Sequence, residues 1–137
     1  VTGHAARLLT AASRQPSAAS MPALRPALTP ADALASFVVE PGYRVDLVAA
    51  EPLVQDPVAL AFDEHGALFV VENRGYPDPL EGQPSEPPLG VVARLTDRDG
   101  DGRFDQRTEF ATGLTYPNGI AVWDGGVFVT VAPDLLY

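Results

Sequence analysis

Four aspartates lie within nine residues in the stretch DRDGDGRFD, which begins at Asp97. Carboxylates held this close together repel one another. A bound Ca²⁺ removes that repulsion, because the ion prefers about six to eight oxygen ligands in a flexible geometry. Gly102 permits the sharp turn that such a loop needs. The spacing therefore predicts a calcium site whose ligands are Asp97, Asp99, Asp101, the backbone carbonyl of Arg103, and Asp105. The alternative is a solvated turn rich in aspartate and glycine.

This stretch, residues 97–105, is called the acidic loop below, and it differs from an EF-hand. An EF-hand requires a bidentate glutamate at its closing position, where this sequence has Thr108. The flanking residues lack helical periodicity, so we predict that the loop joins two β-strands. A cation in such a loop acts as a structural clamp on a hairpin and does not trigger an opening of helices.

Alternating apolar and polar residues predict the elements that position this loop. Thr29, followed by a proline, predicts the start of a helix of one or two turns. The clearest hairpin surrounds the turn at residues 63–66, and a long loop follows it at 73–90. Trp123 is predicted to lie in the core. The predicted strands are Tyr43–Ala49, Val58–Phe62, Ala67–Glu72, Val91–Thr96, Phe104–Ala111, Ile120–Trp123 and Val127–Val131.

Composition and charge exclude several classes of function. The chain has 137 residues and a net charge of −9, from 18 acids and nine bases that are all arginine. The sequence lacks the basic stripe that nucleic-acid binding requires, and its acidity disfavours an anionic membrane surface. It contains no cysteine, so it holds no disulfide, thiolate zinc site or haem attachment motif. No apolar run is long enough for a transmembrane helix.

All of the acidic residues lie after residue 31. Residues 1–31 are rich in alanine, serine and proline, and we predict that they form a flexible leader or the remnant of an export region. Residues 32–137 form the predicted domain. Because the chain starts with Val1 and stops at Tyr137 within an apolar run, we expect it to be a fragment of a longer protein.

The hairpins at 58–72 and 119–131 resemble each other. Each contains an apolar strand, a turn of aspartate and glycine, and a second apolar strand with a phenylalanine near its middle. A recurring antiparallel unit of this kind predicts an all-β fold made of propeller blades. The domain is long enough for about two blades, so we expect a partial propeller whose ring is completed by other residues. A small β-sandwich is the alternative.

Several phrases of the sequence, taken together, resemble one known family. They are YRVDLVAAEP from Tyr43, DPVALAF from Asp56, VENRGYP from Val71, the acidic loop, TYPNG from Thr115 and GGVFVTVAPDLLY from Gly125. Over residues 29–137 the chain resembles the N-terminal propeller domain of the membrane-bound dehydrogenase proteins common in planctomycetes. Those proteins are similar to glucose/sorbosone dehydrogenases that use pyrroloquinoline quinone.

The resemblance implies a six-bladed propeller in the periplasm or outside the cell, with Ca²⁺, the quinone and a sugar-like substrate. It implies that haem c belongs to a cytochrome segment beyond Tyr137. The leading hypothesis for function is therefore hydride transfer from a sugar carbon to pyrroloquinoline quinone in the full-length protein. The fragment by itself is expected to be inactive.

The loop after Glu72 is the candidate cofactor site, because a strand ends there and a long loop begins. Arg74 is predicted to grip a quinone carboxylate, with Glu72 orienting it and Tyr76 stacking on the flat ring. Asn118 is a second candidate for cofactor binding. The alternative is a structural Arg–Glu pair beside a packed tyrosine. No catalytic base is assigned, because His65 is interpreted as a solvated turn residue.

Two other functions are compatible with the same residues. One is a non-catalytic propeller that binds carbohydrate or a protein partner and uses Ca²⁺ only for stability. The other is a metal-dependent hydrolase of the lactonase type, for which Glu72, Asn118 and Asp134 are the candidate ligands.

Overall fold

The computed structural model describes residues 26–76 and 87–137. Most of the predicted leader, up to residue 25, and the proline-rich segment 77–86 lie outside the described residues. The described residues form an all-β fold with one short helix, which confirms the predicted class. The elements are α1 (Pro30–Ala35), β1 (Pro57–Phe62), β2 (Leu68–Glu72), β3 (Gly90–Thr96), β4 (Gln106–Leu114), β5 (Pro117–Trp123), β6 (Gly126–Val131) and β7 (Asp134–Leu136).

The strands form two antiparallel sheets in which neighbours in sequence are neighbours in space. The first sheet has the order β1-β2-β3-β4, and the second has the order β5-β6-β7. Short turns between apolar strands favour such meanders, because antiparallel strands need only a tight connection. Both predicted hairpins are confirmed, with Ala61 opposite Phe69 in the first and Ala121 opposite Phe128 in the second.

The core lies on both faces of the first sheet. On one face, Phe69, Val71 and Val92 pack against Val127, Val129 and Val131 of the second sheet. On the opposite face, a second cluster is covered by Phe104 and by residues of the segment 49–54; its buried members are Leu68, Val70, Ala93 and Leu95. Because both faces are covered, every residue of the central strand β2 is buried.

The turn between β1 and β2 is organised by Asp63. One oxygen of its carboxylate accepts the backbone N–H groups of His65 and Ala67, at 2.9 and 2.8 Å, and the other lies 3.5 Å from the guanidinium of Arg94. Burial raises the pKa of Asp63, but these N–H groups and Arg94 outweigh it and hold the pKa below its ordinary value of 3.8. The contacts therefore stabilise the fold at neutral pH, and that contribution is lost as the pH falls through the lowered pKa.

Helix α1 begins as the sequence predicts. The Oγ1 of Thr29 accepts the N–H of Asp32 at 3.1 Å, and Pro30 occupies the first turn, where its missing N–H has no helical partner to lose. The helix has six residues and buries none of them. Among the described residues, no helix combines the length and the apolar character that crossing a bilayer demands.

The prediction of a strand at Tyr43–Ala49 is wrong. This segment does not pair with another strand among the described residues. Its backbone does accept one hydrogen bond, from the N–H of Phe104 to the carbonyl of Val48, at 2.9 Å. Tyr43 and Val45 are exposed. Alternation of side chains is necessary for a half-buried strand, but a strand also needs a neighbouring edge with which to pair.

The prediction that Trp123 is a core residue is also wrong, since 68% of it is exposed. Ile120 and Val122 of the same strand pack on the core between the sheets. Successive side chains of a strand point to opposite faces, so Trp123 lies on the outer face of the second sheet.

Two strands differ from the prediction by more than one residue at a boundary. Strand β4 begins at Gln106 and continues to Leu114, and β5 already begins at Pro117. The connection between the sheets is short because Tyr116 adopts a φ of 50°, which turns the chain sharply before the proline.

Candidate metal centre and adjoining loop

The acidic loop connects β3 and β4, which confirms that it joins two antiparallel strands. At its base, the N–H of Asp105 donates to the carbonyl of Thr96 at 3.2 Å, and Thr96 pairs with Gln106. The N–H of Phe104 donates to Val48. The end of the acidic loop is therefore attached both to the hairpin and to the segment that covers the first sheet.

Within the acidic loop, Asp97 organises the backbone. Its two oxygens accept the N–H groups of Gly100 at 2.7 Å and Gly102 at 2.9 Å. Both glycines have a left-handed φ, of 77° and 90°, which residues with a Cβ rarely adopt. The N–H of Gly102, with that of Gly100, lowers the pKa of Asp97 below 3.8 against the opposing effect of desolvation. The carboxylate is thus kept ionised, as a cation ligand must be.

Three of the predicted ligands converge. Carboxylate oxygens of Asp97, Asp99 and Asp101 all lie within 4.8 Å of one another. Ionised carboxylates are acceptors with spare lone pairs, so an oxygen that accepts one N–H can still bind a cation. Hard oxygen donors of this kind suit Ca²⁺ in preference to a softer metal. The donor set therefore fits the predicted ion, and calcium binding stays a prediction.

The other two predicted ligands differ in placement. Asp105 lies outside the group of three carboxylates, and its Oδ1 accepts the N–H of Arg98 at 3.2 Å. The N–H of Arg103 donates to Oδ1 of Asp101 at 2.7 Å, which curls the chain around the loop. The carbonyl of Arg103 stays a predicted ligand.

Glu72 lies at the end of β2 and is completely buried. Its Oε2 is shared by two guanidinium groups, with Nη2 of Arg74 at 2.5 Å and Nη2 of Arg107 at 2.8 Å. Its Oε1 accepts the N–H of Gln55 at 3.0 Å. A buried carboxylate is tolerated when its charge is matched and its lone pairs are used, and Glu72 meets both conditions. The contact predicted between Glu72 and Arg74 is present.

The remaining predicted site residues are exposed at the surface of the protein. Tyr76 is 70% exposed, and its ring meets that of Tyr116 edge to face at 6.2 Å. Oδ1 of Asn118 accepts the hydroxyl of Thr130 at 2.5 Å. Asp134 is exposed at the start of β7. The side chain of His65 is exposed in the turn of the first hairpin, 3.7 Å from Glu64.

Residues 29–137 match the family model described as "Domain of unknown function (DUF7133)". The chain belongs to the DUF7133 family. No curated protein matches the chain, and no solved structure matches it. The matched stretch of the DUF7133 domain begins at the residue that caps α1 and includes both sheets, the acidic loop and the loop after Glu72.

Sequence reasoning did not find two residues of the DUF7133 domain that complete the Glu72 cluster. Arg107 reaches Glu72 across the sheet, along the face on which Ala93 lies. Gln55 contributes only its backbone N–H. Neither contact has a sequence signal, because the first depends on the register of β4 and the second on where the covering segment crosses the sheet. The sequence did contain one indication: the apolar strand β2 ends in Glu72. A glutamate is rarely buried without a partner, so a basic residue was to be expected nearby.

Proposed function

We propose that this chain is part of a secreted, calcium-stabilised β-propeller of the type found in quinone-dependent sugar dehydrogenases, with the two sheets as consecutive blades of a six-bladed ring. The first sheet is a four-stranded antiparallel meander, which is the unit of a propeller blade. The second sheet stacks on it through the core between them. This arrangement supports blade-on-blade packing.

Exposed apolar side chains on the outer side of each sheet support further blades. Val58, Leu60 and Phe62 of β1 are exposed on the face that also carries Leu68 and Val70. The outer face of the second sheet exposes Trp123 and Leu135. Repeated units that bury one apolar face on a neighbour leave the other for the next unit. The covering segment occupies the rest of that face of the first sheet, so the exposed apolar side chains of β1 and of the second sheet are the surfaces left for further blades.

The observation that carries the proposal is the convergence of Asp97, Asp99 and Asp101, whose carboxylate oxygens lie within 4.8 Å of one another in the loop between β3 and β4. A cation held there neutralises three carboxylates and fixes the loop. Affinity on the order of 10⁻⁴–10⁻³ M is expected, as in extracellular calcium modules.

We predict that about 10 mM CaCl₂ raises the free energy of unfolding by about 1.4–2.7 kcal/mol. This range is what a ligand that binds only the folded state contributes at a dissociation constant of about 10⁻³ to 10⁻⁴ M. Thermal unfolding followed by circular dichroism, with CaCl₂ and with EDTA, measures the effect. Asp99→Ala and Asp101→Ala should abolish it, because each removes a ligand.

Glu64→Ala is the matched control, since it removes one exposed carboxylate from the turn of the other hairpin. It should leave the calcium response unchanged. A wild-type melting temperature that is the same in CaCl₂ and EDTA would contradict the cation site.

The loop after Glu72 supports a redox role. Nε of Arg74 and Oδ1 of Asn73 are buried without a hydrogen-bond partner among the described residues, and such groups mark places where a ligand or water is expected. Arg74 would hold a carboxylate of pyrroloquinoline quinone, Tyr76 would pack on its ring, and Asn118 is the further candidate. The quinone, when bound, supplies the hydride acceptor.

We expect the full-length protein, reconstituted with the quinone and CaCl₂, to reduce a redox dye with aldoses. Arg74→Ala should lower this rate at least tenfold, a loss typical of one charge-assisted contact. Arg98→Ala, which removes an arginine without a contact to Glu72, is the control. Tight glycan binding with no dye reduction by the wild type would favour the non-catalytic propeller.

One observation favours that second candidate. The charge of Arg74 is already matched by Glu72, so the pair also serves as a structural contact that orders the loop. The same contacts argue against the lactonase-type hydrolase, because the buried charge of Glu72 is already matched by two guanidinium groups. A buried carboxylate that gives up such partners leaves their positive charges uncompensated, which is costly.

A further inference from the structure

The acidic loop and the loop after Glu72 are connected through Glu72 by two separate routes. The first route runs along β4. Arg107 follows the acidic loop by two residues, its backbone pairs with Leu95, and its guanidinium binds Oε2 of Glu72. Glu109 lies 3.3 Å from Nη1 of Arg107 and holds the other side of the guanidinium.

The second route runs through the segment that covers the first sheet. The N–H of Phe104, at the end of the acidic loop, donates to Val48. The segment then turns tightly, with the N–H groups of Leu53 and Val54 both donating to the carbonyl of Ala50, at 2.9 and 3.4 Å. The next N–H, that of Gln55, donates to Oε1 of Glu72.

The two routes therefore end on the two oxygens of one buried carboxylate. Arg74 is the third partner of that carboxylate, and it lies in the loop after β2. An open cleft of about 470 Å³ lies beside these contacts, with Leu47–Leu53 on one side and Arg103, Phe104, Asp105 and Arg107 on the other. The end of the acidic loop is held at Val48 and, through Arg107, at Glu72, so its position and that of Glu72 depend on each other.

We propose that Arg107 is a positioning residue that couples cation binding in the acidic loop to the order of the Arg74 loop, residues 73–76. This inference rests on the proposed calcium site. Binding of the cation fixes the end of the acidic loop, which holds Arg107 and the covering segment, and these hold Glu72 and hence Arg74. Because coupling free energies are reciprocal, an anion bound by Arg74 also increases the affinity of the acidic loop for the cation.

Hydrogen exchange of two backbone amides reports on this coupling. The N–H of Asn73 donates to the carbonyl of Asp56 at 3.1 Å, and that of Tyr76 donates to the carbonyl of Asn73 at 3.3 Å. In the full chain, CaCl₂ should slow exchange of these amides by about fivefold or more, the lower end of measured couplings between sites. In Arg107→Met the same addition should slow their exchange clearly less than in the wild type, because only the route through the covering segment remains.

Arg98→Met is the matched control, because Arg98 lies within the acidic loop and the substitution also removes one positive charge. It should keep the full response. If Arg107→Met does not fold, Arg107→Lys retains the charge without the forked geometry and should weaken the response.

Calorimetric titration with CaCl₂ separates the failure of this inference from that of the calcium site. If the wild type shows heat of binding but hydrogen exchange at Asn73 and Tyr76 does not slow, the coupling is wrong and the calcium site stands. A full response in Arg107→Met overturns it as well. Absence of binding heat overturns the site and the coupling together.

Discussion

Glu72→Ala is expected to lower the free energy of unfolding by about 3–5 kcal/mol, the cost of removing one partner from a buried ion pair. The substitution leaves Arg74 and Arg107 facing each other with no anion between them, and their side chains are only 26% and 17% exposed. It also leaves the N–H of Gln55 without its acceptor. Urea unfolding at neutral pH measures the loss.

Glu109→Ala provides the comparison for Glu72→Ala. Glu109 also pairs with Arg107, but 51% of its side chain is exposed. An exposed ion pair contributes about 0–1 kcal/mol to the free energy of unfolding, because water screens its charges. Equal losses of unfolding free energy in the two variants would show that burial gives the Glu72 contacts no extra weight. A Glu72→Ala chain as stable as the wild type would contradict a stabilising role for the Glu72 cluster.

Gly90→Ala is expected to destabilise the fold by about 3 kcal/mol, at the upper end of overpacking effects. Gly90 begins β3 beside the connection that runs from β4 to β5, between the two sheets. A Cβ at this position would collide with the backbone carbonyl of Leu114 and would lie 2.5 Å from Cδ of Pro117. Neither group can move without shifting the connection from β4 to β5, so the strain cannot be relieved locally.

Gly119→Ala tests this reasoning with the same chemical change. Its Cβ would lie 2.7 Å from Oγ1 of Thr130, while the next nearest atom is 3.8 Å away. The hydroxyl can rotate away at the cost of its bond to Asn118, which is worth about 1 kcal/mol. Both variants lose the same backbone freedom in the unfolded state, so the difference in their urea midpoints reports the collision. A larger loss at Gly119 would contradict the account.

Most of the local structure could be predicted from the sequence. The turn residues at Asp63 and Gly66, and the aspartates and glycines of the acidic loop, act through their own backbone and near neighbours. Their effects are local, so spacing alone indicates the hairpins and the convergence of the carboxylates. Strand alternation also places Ile120 and Val122 on one face, and applying the same rule to Trp123 would have placed it outside the core.

The errors arise where structure depends on distant partners. The segment Tyr43–Ala49 has the alternation of a strand, but it does not pair with any edge strand among the described residues. The cluster around Glu72 depends on the register between β2, β3 and β4, which brings Arg107 to Glu72 over a sequence separation of 35 residues. Such pairings are fixed by the packing of the whole sheet and leave no trace in local spacing.

The uncovered side chains of Val58, Leu60 and Phe62 give the acidity of the chain a colloidal role. Flat apolar surfaces on separate molecules attract one another in water and lead to precipitation. With a net charge of −9, the molecules are expected to repel each other at neutral pH. Near pH 4.4, the isoelectric point that the composition gives, this repulsion disappears and we expect the same surfaces to associate.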